Sequence, residues 1–193
     1  MYKIAVFASA NGTDFQAMID ERDAGRLTVD IACLFTNVAD CGAVLKAQKA
    51  NILVHFVDPK GKSREAYDRE VMTVLEPYRL DLIVLVGYMR IISAPMINRY
   101  PHQIINVHPS LLPKFAGGMN LDVHQAVLDA GEKETGMTIH FVEEAVDAGP
   151  IVLQKSVSVG HEDTKDTLKT KVQALEKEWY PKAIQMFADG EIK

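Results

Sequence analysis

Apolar and polar positions alternate in blocks along this chain. Residues 3–8, 30–36, 53–57, 81–86 and 103–107 are short apolar runs of strand length, rich in Val, Ile and Leu. Between them the apolar period lengthens. Phe15, Met18 and Ile19 share one face of a helix, and Tyr67, Val71, Val74 and Leu75 share the face of another. This succession of strand, helix and strand predicts a mostly parallel sheet with helices on both faces. After residue 108 the rhythm changes. Val123, Val127 and Leu128 predict a helix, and residues 137–142 and 151–159 predict two late strands. A final helix carries Leu168, Val172, Leu175 and Trp179, and Pro181 is expected to kink or end it.

The fold class expected is therefore α/β: a Rossmann-like, mostly parallel twisted sheet with helices on both faces and late antiparallel strands. No shift in composition marks a boundary, so residues 1–193 are read as one domain. Within it, 1–108 form a nucleotide-binding half that runs into a smaller half, 109–193. A hydrophobic fraction of 48% and a charged fraction of 24% belong to an ordinary globular protein. The formal net charge of −5 argues against broad, nonspecific nucleic-acid binding but not against a local site for a small anion. Cys33 and Cys41 are too few for a disulfide scaffold. No apolar run reaches the length of a membrane span. The opening residues read as a strand and not as a signal peptide, so a cytoplasmic protein with no membrane partner is expected.

The chemistry concentrates at the end of the fifth apolar run, in Asn106-Val107-His108-Pro109-Ser110-Leu111-Leu112-Pro113-Lys114. Side chains two apart on a strand share a face, so Asn106 and His108 project together. Pro109 has no amide hydrogen for a ladder and should stop the strand there. In open α/β sheets, ligands sit beyond the carboxyl ends of the strands. An amide and an imidazole at that place can stabilise an oxyanion and move a proton. The imidazole needs a group to orient it, and Asp147 in Asp147-Ala148-Gly149-Pro150 supplies a carboxylate. His140, on the preceding strand, is at most a supporting residue; such a histidine is more often a hydrogen-bonded core residue. The loop Ser9-Ala10-Asn11-Gly12-Thr13-Asp14 joins a strand to a helix, whose free amides bind anions well. It matches neither the G-x-G-x-x-G nor the P-loop lysine pattern. The six histidines show no metal-ligand spacing, so no metal is expected.

These blocks occur in order with Ser63-Arg64-Glu65-Ala66-Tyr67-Asp68, Gly87-Tyr88-Met89-Arg90-Ile91-Ile92-Ser93, Thr138-Ile139-His140-Phe141-Val142 and the set Gln173, Glu176, Tyr180 and Pro181. Together they cover nearly the whole chain, which resembles the phosphoribosylglycinamide formyltransferases, also called glycinamide ribonucleotide transformylases, of the folate-dependent formyl transferases. The resemblance implies transfer of a formyl group from 10-formyltetrahydrofolate, a co-substrate, to the amine of glycinamide ribonucleotide in purine biosynthesis. It implies that Asn106, His108 and Asp147 are catalytic and that Gly12, Thr13 and Asp14 receive the substrate phosphate. It places Gln173 and Glu176 near the ribonucleotide. Met89, Arg90, Ile91 and Ile92, with Asn106 and Arg64, would meet the folate, so 109–193 becomes the folate-site and carboxyl-terminal helix half. Small-molecule substrates, no nucleic acid, and a monomer or homodimer are expected.

Three positions depart from the family pattern. Ala10 stands for a second glycine, Asp14 for an asparagine, and residues 115–122 for a shorter loop containing proline. The expected mechanism is direct attack of the amine on the formyl carbon through a tetrahedral intermediate. Two rivals remain. A formyltetrahydrofolate hydrolase would use water, but such proteins carry an amino-terminal regulatory domain that is not expected here. A catalytically silent metabolite-binding protein on the same fold would not need the three polar groups.

Overall fold

The computed structural model describes residues 1–117 and 122–192. The part of the unusual 115–122 segment at 118–121 lies outside the described residues. The strands are β1 Lys3–Ala8, β2 Asp30–Thr36, β3 Val54–Phe56, β4 Leu82–Val86, β5 Ile104–His108, β6 Glu134–Phe141 and β7 Ile151–Ser158. The helices are α1 Thr13–Asp23, α2 Gly42–Lys49, α3 Arg64–Leu75, α4 Ala94–Arg99, α5 Val123–Asp129 and α6 Lys165–Ala188. The seven strands form one sheet in the order β3-β2-β1-β4-β5-β6-β7. β1 to β5 are parallel; β6 runs antiparallel to β5, and β7 antiparallel to β6. The α/β class, the mostly parallel sheet and the late antiparallel strands are as the pattern predicts.

Both faces of the sheet are buried, which explains why β1 and β4 read as continuous apolar runs and not as alternations. Ile4, Val6 and Ala8 of β1 face one side with Phe15 and Met18 of α1, Ala43 of α2 and Val172 of α6. Ala5 and Phe7 face the other side with Tyr67 and Val71 of α3 and Met96 of α4. No helix among the described residues is long and apolar enough to cross a membrane.

Four features differ from the pattern-based reading. α2 and α4 have no counterpart in the pattern-based reading. α2 buries mainly small side chains, Ala43 and Ala47 beside Val44, and α4 is only six residues long. β3 is trimmed to three residues, Val54 to Phe56, which pair with Leu34 to Thr36 of β2. β6 starts earlier, at Glu134, because it pairs with β7 from Glu134 opposite Ser158 onward. Finally, α6 runs through Pro181 to Ala188. Proline in a helix interior costs about 3 kcal/mol. Beyond it Ala183, Ile184 and Phe187 are buried in the core. Burying a side chain such as Ile184 or Phe187 gains about 1.5–3 kcal/mol each. Tertiary packing therefore outweighs the local penalty.

Candidate active site

The strand order reverses between β1 and β4, the place where open α/β sheets leave a crevice. Loops from the two carboxyl ends are tied together there. The Ser9 amide donates to the Gly87 carbonyl (3.3 Å), and the Met89 amide donates to Ser9 Oγ (2.8 Å). Ser9 Oγ in turn donates to Asn37 Oδ1 (2.6 Å). The chain leaving β4 is thus held as one wall of a cavity of about 340 Å³. Met89, Arg90, Ile91 and Ile92 line this wall, and Asn106, His108, His140 and Asp147 line the far end. Met89 and Ile91 are exposed apolar side chains at its mouth.

β5 ends at His108, one residue before Pro109. The antiparallel register sets Asn106 opposite His140 and His108 opposite Thr138. Asn106 Nδ2 lies 3.3 Å from His140 Nε2, while His140 Nδ1 lies 2.8 Å from the Phe141 carbonyl oxygen. A carbonyl can only accept, so Nδ1 carries the hydrogen and Nε2 accepts from Asn106. Burial holds the His140 pKa below its ordinary value, which keeps this ring neutral. His108 is turned differently. Its Nδ1 lies 3.3 Å from Asp147 Oδ2 and its Nε2 lies 3.0 Å from the Phe115 carbonyl oxygen. Both neighbours are acceptors: Nε2 donates to the Phe115 carbonyl, and Asp147 lies at ion-pair distance from Nδ1. Asp147 Oδ1 is 3.7 Å from His140 Nε2, and the Gly117 amide donates to Asp147 Oδ2 (3.1 Å).

The local chain is shaped to deliver these groups. Asp147 has a positive φ of 55°, in the left-handed region that Asp tolerates better than most residues. Gly149 follows because a Cβ there would run into the Phe141 carbonyl oxygen. The Phe141 amide donates to the Pro150 carbonyl (2.9 Å), closing the turn onto β6. Thr138 anchors the segment after His108: its Oγ1 donates to the Ser110 carbonyl (2.7 Å) and accepts from the Leu112 amide (3.0 Å). Gln154 Nε2 donates to the Leu112 carbonyl (2.9 Å). Lys114 leaves this segment for the surface and pairs with Glu132 (2.8 Å).

A second cluster stands apart from the cavity lining. Gly12 has φ 63° and precedes α1, and a Cβ on it would press on Ala43. The first amides of α1, from Thr13 on, have no partner within the helix. Asp14 in the first turn of α1 and Glu176 on α6 are both buried, whereas Thr13 and Gln173 are half-buried. None of these five residues lines the 340 Å³ cavity. Nor does Arg64, which is exposed at the start of α3 and 3.5 Å from Glu65. The structure therefore gathers Asn106, His108, His140, Asp147 and Met89 to Ile92 around one cavity. The Phe115 carbonyl, Gly117 amide and Thr138 hydroxyl also serve this site, and the residue pattern gave no signal for them. Backbone groups have no sequence signature, and a threonine in a buried strand looks like any other β-branched residue.

An open sheet with a cleft beyond the carboxyl ends of β4 and β5, apolar on one wall and carrying an amide, two imidazoles and a carboxylate on the other, defines an enzyme of the α/β class acting on a small molecule. Residues 2–184 match the formyl transferase family model, and the chain belongs to that family. It is 38% identical over 191 residues to a phosphoribosylglycinamide formyltransferase of Escherichia coli (strain K12), covering 98% of this chain and 89% of that one. Its structure is similar to that of glycinamide ribonucleotide transformylase 1 from Symbiobacterium toebii, with a TM-score of 0.93 and 39% identity over 98% of this chain and 89% of that chain. It is also similar, at 26% identity and a TM-score of 0.89, to a formyltetrahydrofolate deformylase from Pseudomonas syringae, of which it covers 62%.

Proposed function

We propose that this chain transfers the formyl group of 10-formyltetrahydrofolate to the amine of glycinamide ribonucleotide, with Asn106, His108 and Asp147 as its catalytic residues. The observation that carries this is their convergence on one cavity in a chain that matches phosphoribosylglycinamide formyltransferases over nearly its full length. The apolar wall from Met89 to Ile92 suits a flat heteroaromatic ring, and the polar end sets the formyl group against Asn106 and His108.

The amine attacks the formyl carbon, a carbon–nitrogen bond forms, and negative charge builds on the formyl oxygen. Asn106 and the His108 imidazolium donate to that oxygen, an interaction that strengthens in the transition state. Asp147 accepts from His108 Nδ1 and so turns Nε2 toward the reacting centre. The Phe115 carbonyl marks the direction in which Nε2 donates, and the formyl oxygen takes that acceptor position. The bond to the folate nitrogen then breaks. The proton lost by the amine reaches that nitrogen through His108 or through a water held by Asp147. His140 stays neutral and steadies the Asn106 amide. Gly12, Thr13 and Asp14 receive the phosphate, with Gln173 and Glu176 toward the ribose. Arg64, outside the cavity, meets the distal carboxylates of the folate.

The test is tetrahydrofolate release from 10-formyltetrahydrofolate with and without glycinamide ribonucleotide. Release that requires the ribonucleotide is the expected result. Release without it would make the chain a hydrolase, the activity named for the Pseudomonas syringae neighbour. Folate binding with no release would make it a silent binder.

A further inference from the structure

Two buried carboxyl groups lie on the helices beneath the first loop. Asp14 is only 5% exposed and its Oδ1 has no hydrogen-bond partner; Glu176 is 7% exposed. α1 packs on α6, and the Asp14 charge acts on Glu176 through space. Lys177 acts on both carboxyls, and both act in turn on Tyr180. Lys177 is exposed. The Tyr180 hydroxyl is turned away, donating to the Leu85 carbonyl (2.9 Å) and the Ile105 carbonyl (3.2 Å), so its one hydrogen is spent. Among the described residues, the other elements packed on these helices offer no cation. α2 presents Ala43 to Gly12, β7 sends Lys155 over the Trp179 ring, and α6's own Lys182 lies over the same ring. On α5 His124 answers to Asp122 and Lys169, and on β6 His140 answers to Asp147 and His108.

Two neighbouring buried carboxylates with no buried cation do not both ionise. Burial pushes Asp14 up to about 6, with exposed Lys177 working weakly against it. Burial, helped by the Asp14 charge and opposed by exposed Lys177, pushes Glu176 up to about 8. The protons belong to the pair and not to either residue. A phosphate at the start of α1 would bring more negative charge to the same place. That charge favours keeping a proton on the pair.

We propose that Asp14 and Glu176 form a dyad that holds one proton and that only the protonated dyad receives the ribonucleotide, so substrate binding is linked to a proton. This rests on the substrate reading above. The neutral carboxyl donates to a phosphate or ribose oxygen, and its ionised partner accepts from a ribose hydroxyl. Once the dyad loses its proton, two buried anions face the phosphate and affinity falls.

The experiment is calorimetric titration of the folate-free protein with glycinamide ribonucleotide, in two buffers of different ionisation enthalpy, for the wild type and Asp14→Asn. From about pH 6 to about pH 9, wild-type affinity should fall roughly three- to tenfold more than that of Asp14→Asn. The wild type should also take up a larger fraction of a proton on binding than the variant, in which burial alone still raises Glu176. Equal proton uptake and parallel affinities overturn the dyad. A wild type that binds no ribonucleotide at any pH overturns the substrate reading and the linkage with it. A ligand-free measurement separates the two failures. Over the same pH range, the wild type should lose more resistance to denaturant than Asp14→Asn or Glu176→Gln. Parallel curves overturn the dyad even where the ribonucleotide binds.

Discussion

In the proposed mechanism the chemistry turns on His108. Its two ring nitrogens have different neighbours, a carboxylate at Nδ1 and a carbonyl at Nε2. One side therefore orients the ring while the other is free to exchange its acceptor for the substrate. His108→Ala removes both the donor and the proton path. Turnover should fall roughly 10²- to 10⁴-fold, the usual range for a positioned acid–base group. Steady-state kinetics on a variant shown to be folded by circular dichroism would check this, and near-normal turnover would remove His108 from the mechanism. Asn106 and His108 were legible as a pair because strand periodicity alone puts them on one face. The state of His140 was not. A histidine in a buried strand can be core or site, and only its cross-strand position opposite Asn106 decides the matter.

At the scale of elements, the turn after β6 sets Asp147 against the end of β5. Its glycine is a packing requirement, since any side chain at 149 would collide with the Phe141 carbonyl. Gly149→Ala should lower stability by about 1–3 kcal/mol through overpacking. It should also cut turnover, because the turn must shift and carry Asp147 away from His108. Denaturant unfolding and kinetics on the same sample would show both losses; unchanged turnover would mean that the turn tolerates displacement. The motif Asp-x-Gly-Pro was legible as a turn, but which carbonyl the glycine must clear was not. The continuation of α6 through Pro181 runs against the local rule for the same reason: propensity acts over a turn of helix, whereas the burial that overrides it comes from distant strands.

For the whole molecule, α6 is the element that ties the two halves together. The Tyr180 hydroxyl, fully buried, donates to carbonyls of both β4 and β5. Tyr180→Phe leaves those carbonyls without this donor and should cost about 1–2 kcal/mol, read as a lower denaturation midpoint. A fall of less than a few tenths would show that the hydroxyl is not needed. The buried carboxyls of Asp14 and Glu176 also give the protein a pH signature. Their folded pKa values, about 6 and about 8, lie above the ordinary 3.8 and 4.5. Unfolded, these groups release their protons first, so above about pH 4 the unfolded chain binds fewer of them. Their contribution is fully present below that range and is lost as pH rises toward about 8. Resistance to denaturant should therefore decline between about pH 5 and about pH 8.5, measured at constant ionic strength. A rise over that interval would show that the two carboxyls are not both buried.

Local periodicity along the chain was enough to establish the parallel sheet, its late strands and the joint projection of Asn106 and His108. These follow from backbone geometry that each residue carries with its neighbours. The meeting of His108 with Asp147, and of Asp14 with Glu176, could not be read that way from the residues. Each pair is far apart in sequence, and their proximity depends on how strands pair and helices pack. The electrostatic character of each group follows from that placement. An aspartate at position 14 is an ordinary surface acid in a sequence, and it becomes a proton-holding one only when α6 covers it and excludes water.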